Sequence, residues 1–329
     1  AKEFGWEKRR RAGADKGPKK RGMGMAAHIW LGGGFGIGRA VVKMNFDGSV
    51  NLLTGAADLG TGTKTVMAQI VAEELGIPFE TVKVTNADTE FTPFTLGSYG
   101  SKTVSDDGDS VRKAAADLKR QILEVAAGLF KVKAEELDIK EGKVFVKADP
   151  AKAKPIREVA MAMPHLSMVG QGDRTPFPPE VLRTFGAQFA EVEVDVETGE
   201  VKVLRIVASH DSGRVINPKL WESQVHGGVI QGTGYALFER RIIDRNTGIP
   251  VNANFEEYKI PTALDVPDEI KPVNPNVFFP ANTINAKGVG EPPIVPTAPA
   301  IANAIYNATG IRVRSNPITP DKLLRPKKA

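Results

Sequence analysis

Apolar and polar residues alternate over 40–46, turn at Asp47-Gly48, and alternate back over 50–53, which predicts a β-hairpin. After Asp58-Leu59-Gly60-Thr61-Gly62-Thr63 the period changes. Val66, Met67, Ile70, Val71 and Leu75 recur at helical spacing, and Gly76 and Pro78 end the run. A strand is expected at 81–85, then a loop rich in Thr, Gly and Pro up to Lys102. A long amphipathic helix follows from about Asp109, striped by Val111, Leu118, Ile122, Val125 and Leu129. Residues 131–180 are charged and Pro-rich and read as a less regular connection. Alternation returns at 187–196, turns at Glu197-Thr198-Gly199 and runs back to Ala208. A Gly-bearing helix is expected over 220–238, an Ala-rich one over 297–308, and a short strand near 311–313. No repeat of fixed period is visible. Strands and helices alternate without a regular βαβ rhythm, so the expected fold is α+β, with mixed sheets and packed helices.

A chain of 329 residues can bury a full core, and two subdomains are expected, 23–180 and 181–329, behind a basic arm at 1–22. That arm holds nine Lys/Arg against three acids, so its +6 leaves −1 on the body of a chain whose net charge is +5. It reads as a solvated or subunit-docking extension. A nucleic-acid-binding arm is the alternative, although no aromatic ladder or recognition helix accompanies it. The N-terminus shows no signal-peptide pattern and no apolar run has membrane length, so a cytoplasmic protein is expected. Its first residue, Ala1, reads as a processed start or the start of a fragment.

There is no cysteine, which removes disulfides, thiolate catalysis and any iron–sulfur cluster held by this chain. His28, His165, His210 and His226 are scattered without metal-ligand spacing. A metal here would have to arrive on an organic cofactor.

Four short stretches combine Gly with hydroxyl or amide residues: Gly32–Gly38, Gly60-Thr61-Gly62-Thr63, Gly97-Ser98-Tyr99-Gly100-Ser101 and Gln231-Gly232-Thr233-Gly234. Each alone reads as a plain turn. Together they suggest a polar, phosphorylated ligand wrapped from several sides by backbone N–H groups, and the second lies at a helix N-terminus. Near the C-terminus, Lys287-Gly288-Val289-Gly290-Glu291-Pro292-Pro293 sets a single carboxylate in tightly turned backbone just before a helix. Locally this is either a helix-capping acid or the placement of a catalytic base.

Five motifs in order carry a resemblance: Asp58-Leu59-Gly60-Thr61-Gly62, Leu96-Gly97-Ser98-Tyr99-Gly100-Ser101-Lys102, Asp211-Ser212-Gly213-Arg214-Val215-Ile216-Asn217-Pro218, Gln231-Gly232-Thr233-Gly234 and Gly288-Val289-Gly290-Glu291-Pro292-Pro293. The chain resembles the C-terminal half of the molybdenum-binding subunit of the xanthine oxidase family from about residue 22 to 323. Its flavour is that of the medium molybdopterin subunit of nicotinate dehydrogenase and the corresponding half of 4-hydroxybenzoyl-CoA reductase.

The resemblance implies a molybdopterin cofactor, as the cytosine dinucleotide, whose dithiolene holds molybdenum without protein ligands. It implies Glu291 as the base in hydroxylation of an electron-poor carbon, such as that of nicotinate, with water as oxygen source. Gly60, Thr61, Gly62, Ser98, Tyr99, Gly100, Ser101, Gln231, Gly288, Val289 and Gly290 are the implied cofactor contacts. Thr61 departs from the family's usual Gln. Arg214 and Asn217 are expected to shape the fold rather than touch substrate. A large molybdopterin subunit would supply the other half of the site, and 2Fe–2S and FAD subunits would carry electrons away. Aryl-CoA dehydroxylation, aldehyde oxidation and a scaffold that only closes the pocket stay open as alternatives. A base working near neutral pH asks for some desolvation of Glu291.

Overall fold

The computed structural model describes residues 1–174, 182–278 and 282–324. In chain order the elements are β1 (Lys19–Leu31), β2 (Gly38–Asn45), β3 (Val50–Thr54), α1 (Thr63–Leu75), β4 (Val82–Asn86), α2 (Thr103–Phe130), β5 (Leu137–Lys140), β6 (Lys143–Val146), β7 (Asp149–Pro155), α3 (Ile156–Met161), β8 (Ser167–Arg174), β9 (Arg183–Asp195), β10 (Val201–His210), α4 (Pro218–Leu237), β11 (Glu269–Val273) and α5 (Thr297–Thr309). The class is α+β, as expected.

Two four-stranded sheets share one plan. In the first, the hairpin β2–β3 gains β4 in parallel beside β3 and β8 antiparallel beside β2. In the second, the hairpin β9–β10 gains β11 in parallel beside β10 and β1 antiparallel beside β9. Each hairpin leads into a helix, then the parallel strand, then a second helix: α1, β4, α2 in one half and α4, β11, α5 in the other. The repeat is topological and leaves no sequence period. The halves differ in the source of the outer strand, because β1 comes from the N-terminal side of the boundary expected near residue 180.

Each half has its own core. Val42, Met44, Leu52, Val71, Leu75, Val111, Leu118 and Ile122 fill the first, and Val192, Val203, Ile206, Val229, Ile301 and Ile305 the second. Burying each such side chain contributes about 1.5–3 kcal/mol. A smaller sheet, β5–β6–β7, caps α2 with Leu137, Ile139, Val144 and Val146.

The outer strands β1 and β8 depart from the sequence expectation, which read no strand at 19–31 and an irregular connection over 131–180. Both run beneath a helix at very short range. A Cβ on Gly22 would lie 2.2 Å from the Ala304 carbonyl oxygen of α5, and one on Gly170 would lie 2.2 Å from that of Ala114 in α2. Gly24 and Gly172 repeat the contact two residues on. The inward positions are glycines, so the apolar alternation that marks a strand is missing. β11 was missed too, and 311–313 is not a strand. α2 begins at Thr103 rather than near Asp109 because Ser105, Asp106 and Asp107 are polar yet buried in its first turns.

The basic N-terminus is docked. Phe4 is buried against Phe189 and Val207, with Trp6 edge-on to Phe189. Lys271 pairs with Glu3, Arg10 with Asp15 and Arg21 with Glu193. Among the described residues no helix is long and apolar enough to cross a membrane.

Candidate functional site

A cavity of about 330 Å³ lies where the two halves meet. The starts of α1, α2 and α4 and the turn before α5 converge on it. Thr61, Thr63, Ser98, Tyr99, Ser101, Gln224 and Gly288 through Glu291 give it polar edges. Leu59, Val66, Met67, Val104, Leu220 and Trp221 give it an apolar floor.

Glu291 stands at its rim. Carboxylate Oε2 accepts from the Ser101 hydroxyl at 3.0 Å and from the Trp30 indole N–H at 3.2 Å. The Glu291 backbone N–H donates to the same Ser101 oxygen at 2.9 Å, so Ser101 grips both ends of the residue. Oε1 takes no hydrogen bond from the described residues. Glu291 is exposed in this chain, so the expected desolvation is not provided by its own fold. The turn is set by close packing: a Cβ on Gly288 would stand 1.5 Å from the Ser101 carbonyl oxygen, and the Gly288 N–H donates to Gly32. Ser101 itself has φ 56°, a strained value for a residue with a side chain.

Lys287, next to the turn, is buried and paired with Asp211. Arg214 pairs with Glu73 at 2.7 Å. Asn217 caps α4 through the Leu220 N–H and donates to Gln69. These residues line or flank the cavity while their ion pairs and hydrogen bonds build its wall.

Thr61, Ser98, Tyr99, Ser101, Gly288, Val289, Gly290 and Glu291 are thus brought together on one cavity. Gly60, Gly62, Gly100 and Gln231 are not on its lining. Gly62 packs on Leu220 and Gly100 on the Phe35 ring. Gln231 lies on an exposed part of α4, two turns beyond Gln224.

Two of the glycine loops already hold an anion of their own. Asp58 accepts from the N–H groups of Gly60, Gly62 and Lys64, at 3.0 to 3.2 Å. Burial pushes the Asp58 carboxyl up, but those backbone donors outweigh it and hold it below the ordinary range. Asp106 accepts from Gly34 and Gly36 at 2.7 and 2.8 Å, so the Gly32–Gly38 loop wraps the start of α2. The fourth stretch is no loop: α4 runs through it, and Gly232 packs on Thr297. Anion-binding backbone is legible in these loops from glycine alone; that the anions are side chains of the same chain is not.

A buried polar chain escaped the sequence reading. His28 Nε2 lies 2.9 Å from His210 Nδ1, and His210 Nε2 lies 3.2 Å from the Gln188 amide nitrogen. Burial pulls the histidines down to about 4 and about 3, His210 also under the influence of its neighbour. Strand pairing brings His28, Gly186 and His210 side by side, which no sequence spacing announces.

The lining suits a ligand with heteroatoms along its edges and a flat apolar face: hydroxyls, a side-chain amide and turned backbone stand around the apolar floor. Outside the lining, φ is +91° at Gly60 and +85° at Gly97 and nothing lies within 4 Å of where a Cβ would stand, although the Gly60 N–H already donates to Asp58. This fits a pterin held by neutral donors, with one carboxylate at its edge.

Comparison with known proteins assigns the class. The chain belongs to the xanthine oxidase family, its residues 1–267 matching the molybdopterin cofactor-binding domain. The xanthine dehydrogenase molybdenum-binding subunit of Escherichia coli O157:H7 is 36% identical over 98% of this chain and 44% of its own length. The carbon monoxide dehydrogenase large chain of Afipia carboxidovorans is 33% identical over 82% of this chain and 34% of its own. Quinoline 2-oxidoreductase from Pseudomonas putida 86 superposes with a TM-score of 0.85 at 28% identity, covering 93% of this chain and 42% of that one. The chain therefore spans under half the length of these relatives.

Proposed function

We propose that the chain is the molybdopterin-binding half of a multi-subunit molybdenum hydroxylase or dehydrogenase, with Glu291 as its general base. The observation that supports this most is the asymmetry of that carboxylate, with Oε2 pinned by Ser101 and Trp30 and Oε1 open at the cavity rim. When bound, the cofactor supplies a two-electron redox centre at which water is the source of the transferred oxygen. Glu291 takes a proton at Oε1, because Oε2 is already occupied by two donors. Ser98, Tyr99, Ser101, Thr61 and the backbone of Gly288–Gly290 would hold the pterin, Gly60, Gly62 and Gly100 would shape the loops behind it, and Gln231, on α4 outside the lining, would meet only a part of the cofactor that extends beyond the cavity. The cytosine dinucleotide form, a large subunit carrying the other half of the site, and 2Fe–2S and FAD subunits complete the reading. That second half would also supply the desolvation that this chain does not.

The substrate proposed is an electron-poor N-heteroaromatic, nicotinate being the acid of that class. The names of relatives support the ring: nicotine 6-hydroxylase of Paenarthrobacter nicotinovorans, 31% identical, and quinoline 2-oxidoreductase. One observation favours an uncharged ring or an aldehyde over an acid. Both cations on the cavity lining, Arg214 and Lys287, are held by carboxylates, so a substrate carboxylate would have to be met by the other subunit. The test is purification of the complex with metal and nucleotide analysis, then turnover with nicotinate, quinoline and benzaldehyde. Molybdenum with released cytidine monophosphate is expected, and quinoline or benzaldehyde is expected to outrun nicotinate. Absence of molybdenum and tungsten, and of any iron–sulfur partner, would overturn the reading.

A further inference from the structure

The turn that carries Glu291 rests on the buried polar chain, and the direction of every hydrogen bond in that chain follows from its partners. The Pro293 carbonyl can only accept, and it lies 2.6 Å from one end of the Gln188 amide. That end must be the NH2 group, since two carbonyl oxygens at this distance would repel. The other end, Oε1, lies 2.7 Å from the Thr297 hydroxyl, whose one proton is shared between it and the Pro293 carbonyl at 2.9 Å. The second Gln188 proton points to His210 Nε2, which must therefore be bare. A neutral imidazole bare at Nε2 carries its proton on Nδ1. His210 Nδ1–H then donates to His28 Nε2 at 2.9 Å, so His28 also carries its proton on Nδ1. That last atom is buried without a hydrogen-bond partner among the described residues. Gly186 makes room for both rings, since a Cβ there would stand 2.4 Å from His28 and 2.9 Å from His210.

We propose that His28, His210 and Gln188 form a one-way hydrogen-bond chain that fixes the Pro293 carbonyl, and with it the Glu291 carboxylate, making Gln188 and His210 positioning residues for the base. The base itself rests on the function proposed above; the hydrogen-bond chain does not. The physical case is the placement of Pro293 two residues after Glu291, in a turn that gains its rigidity from Pro292, Pro293 and the Ser101 grip. Gln188, His210 and Thr297 are buried, so their bonds compete with no bulk water. Both rings being neutral agrees with the downward push that burial exerts on them.

The test labels the histidines and tryptophans of this chain with nitrogen-15 in the assembled complex, the other chains being unlabelled and deuterated. Ring nitrogen shifts are expected to show His28 and His210 as neutral Nδ1–H tautomers at pH 7.5. The Trp30 indole N–H, which donates to Glu291, reports the turn. In a Gln188→Met variant its signal should move toward that of a Glu291→Gln variant. With benzaldehyde as the probe substrate, kcat in Gln188→Met should fall by about 10- to 100-fold at nearly unchanged KM, the pattern of a displaced group rather than lost binding. A proton on Nε2 of either histidine overturns the proposal, and the wild type alone decides that if the variant does not fold. An unmoved indole signal in folded Gln188→Met overturns it too. A moved indole signal with full kcat keeps the hydrogen-bond chain and contradicts Glu291 as the base.

Discussion

One serine decides how Glu291 is held. Its hydroxyl accepts from the Glu291 backbone and donates to the Glu291 carboxylate, while its carbonyl leaves room only for a glycine at 288. Ser101→Ala removes the grip without removing the base. We expect kcat to drop by about tenfold or more through misplacement, with the melting temperature changed only modestly because the side chain is half-buried at the cavity edge and not in a core. Steady-state kinetics and a thermal melt check this together, and full activity in Ser101→Ala would show that the grip is incidental. Gly288→Ala is the opposite case. Its methyl group would collide with backbone rather than with a flexible side chain, so a loss of about 3 kcal/mol is expected in denaturant unfolding. The Gly-Val-Gly-Glu-Pro-Pro turn was legible in the sequence because glycine, proline and a lone carboxylate are a local signal. Trp30 was not, since it reaches Glu291 from a strand 261 residues away in the chain.

The elements that were legible are those whose inward positions are apolar. The hairpins β2–β3 and β9–β10, and α1, α4 and α5, follow the periods read from the sequence to within a few residues. β1 and β8 were illegible for one shared reason: their inward positions are Gly22, Gly24, Gly170 and Gly172, and a helix backbone lies where side chains would be. The first turns of α2 were illegible for a related reason. Their inward residues are acids, matched by Gly34, Gly36 and Lys102 rather than by apolar neighbours. Alanine at Gly22 or at Gly170 should therefore force a helix off its sheet. A cost of about 3 kcal/mol is expected for each, against a gain of up to about 1 kcal/mol for alanine at Gly128, an exposed helix position with open space around it. Equal unfolding midpoints for the three variants would contradict the close packing.

At the scale of the molecule, two halves of like topology meet at the cavity, and the segment entering α2 grips the segment entering α5. The buried histidines make the stability of this assembly depend on pH. Their folded values, about 4 and about 3, lie below the ordinary 6.5, so between those limits the unfolded chain binds more protons and stability is lost as pH falls. Each contributes a slope of up to about 1.4 kcal/mol per pH unit. Asp107 works the other way. Burial pushes it up to about 6 against the pull of Lys102, so its contribution is present at low pH and lost as pH rises through that value. Two groups outweigh one, and unfolding free energy should rise from pH 4 to 6.5, with a flatter rise in His210→Phe. An unchanged slope in that variant would place the histidines outside the pH response. The cavity was legible only in part: Thr61, Ser98, Tyr99, Ser101 and the Gly288–Glu291 turn line it, whereas Gly32–Gly38 wraps Asp106 and Gln231–Gly234 lies within α4, because backbone donors carry no mark of which anion they serve. The most direct measurement is turnover of Glu291→Gln in the assembled, cofactor-loaded complex. Unchanged molybdenum content with kcat reduced by at least about 100-fold is the result expected of a positioned general base, and near-wild-type turnover at full loading would contradict it.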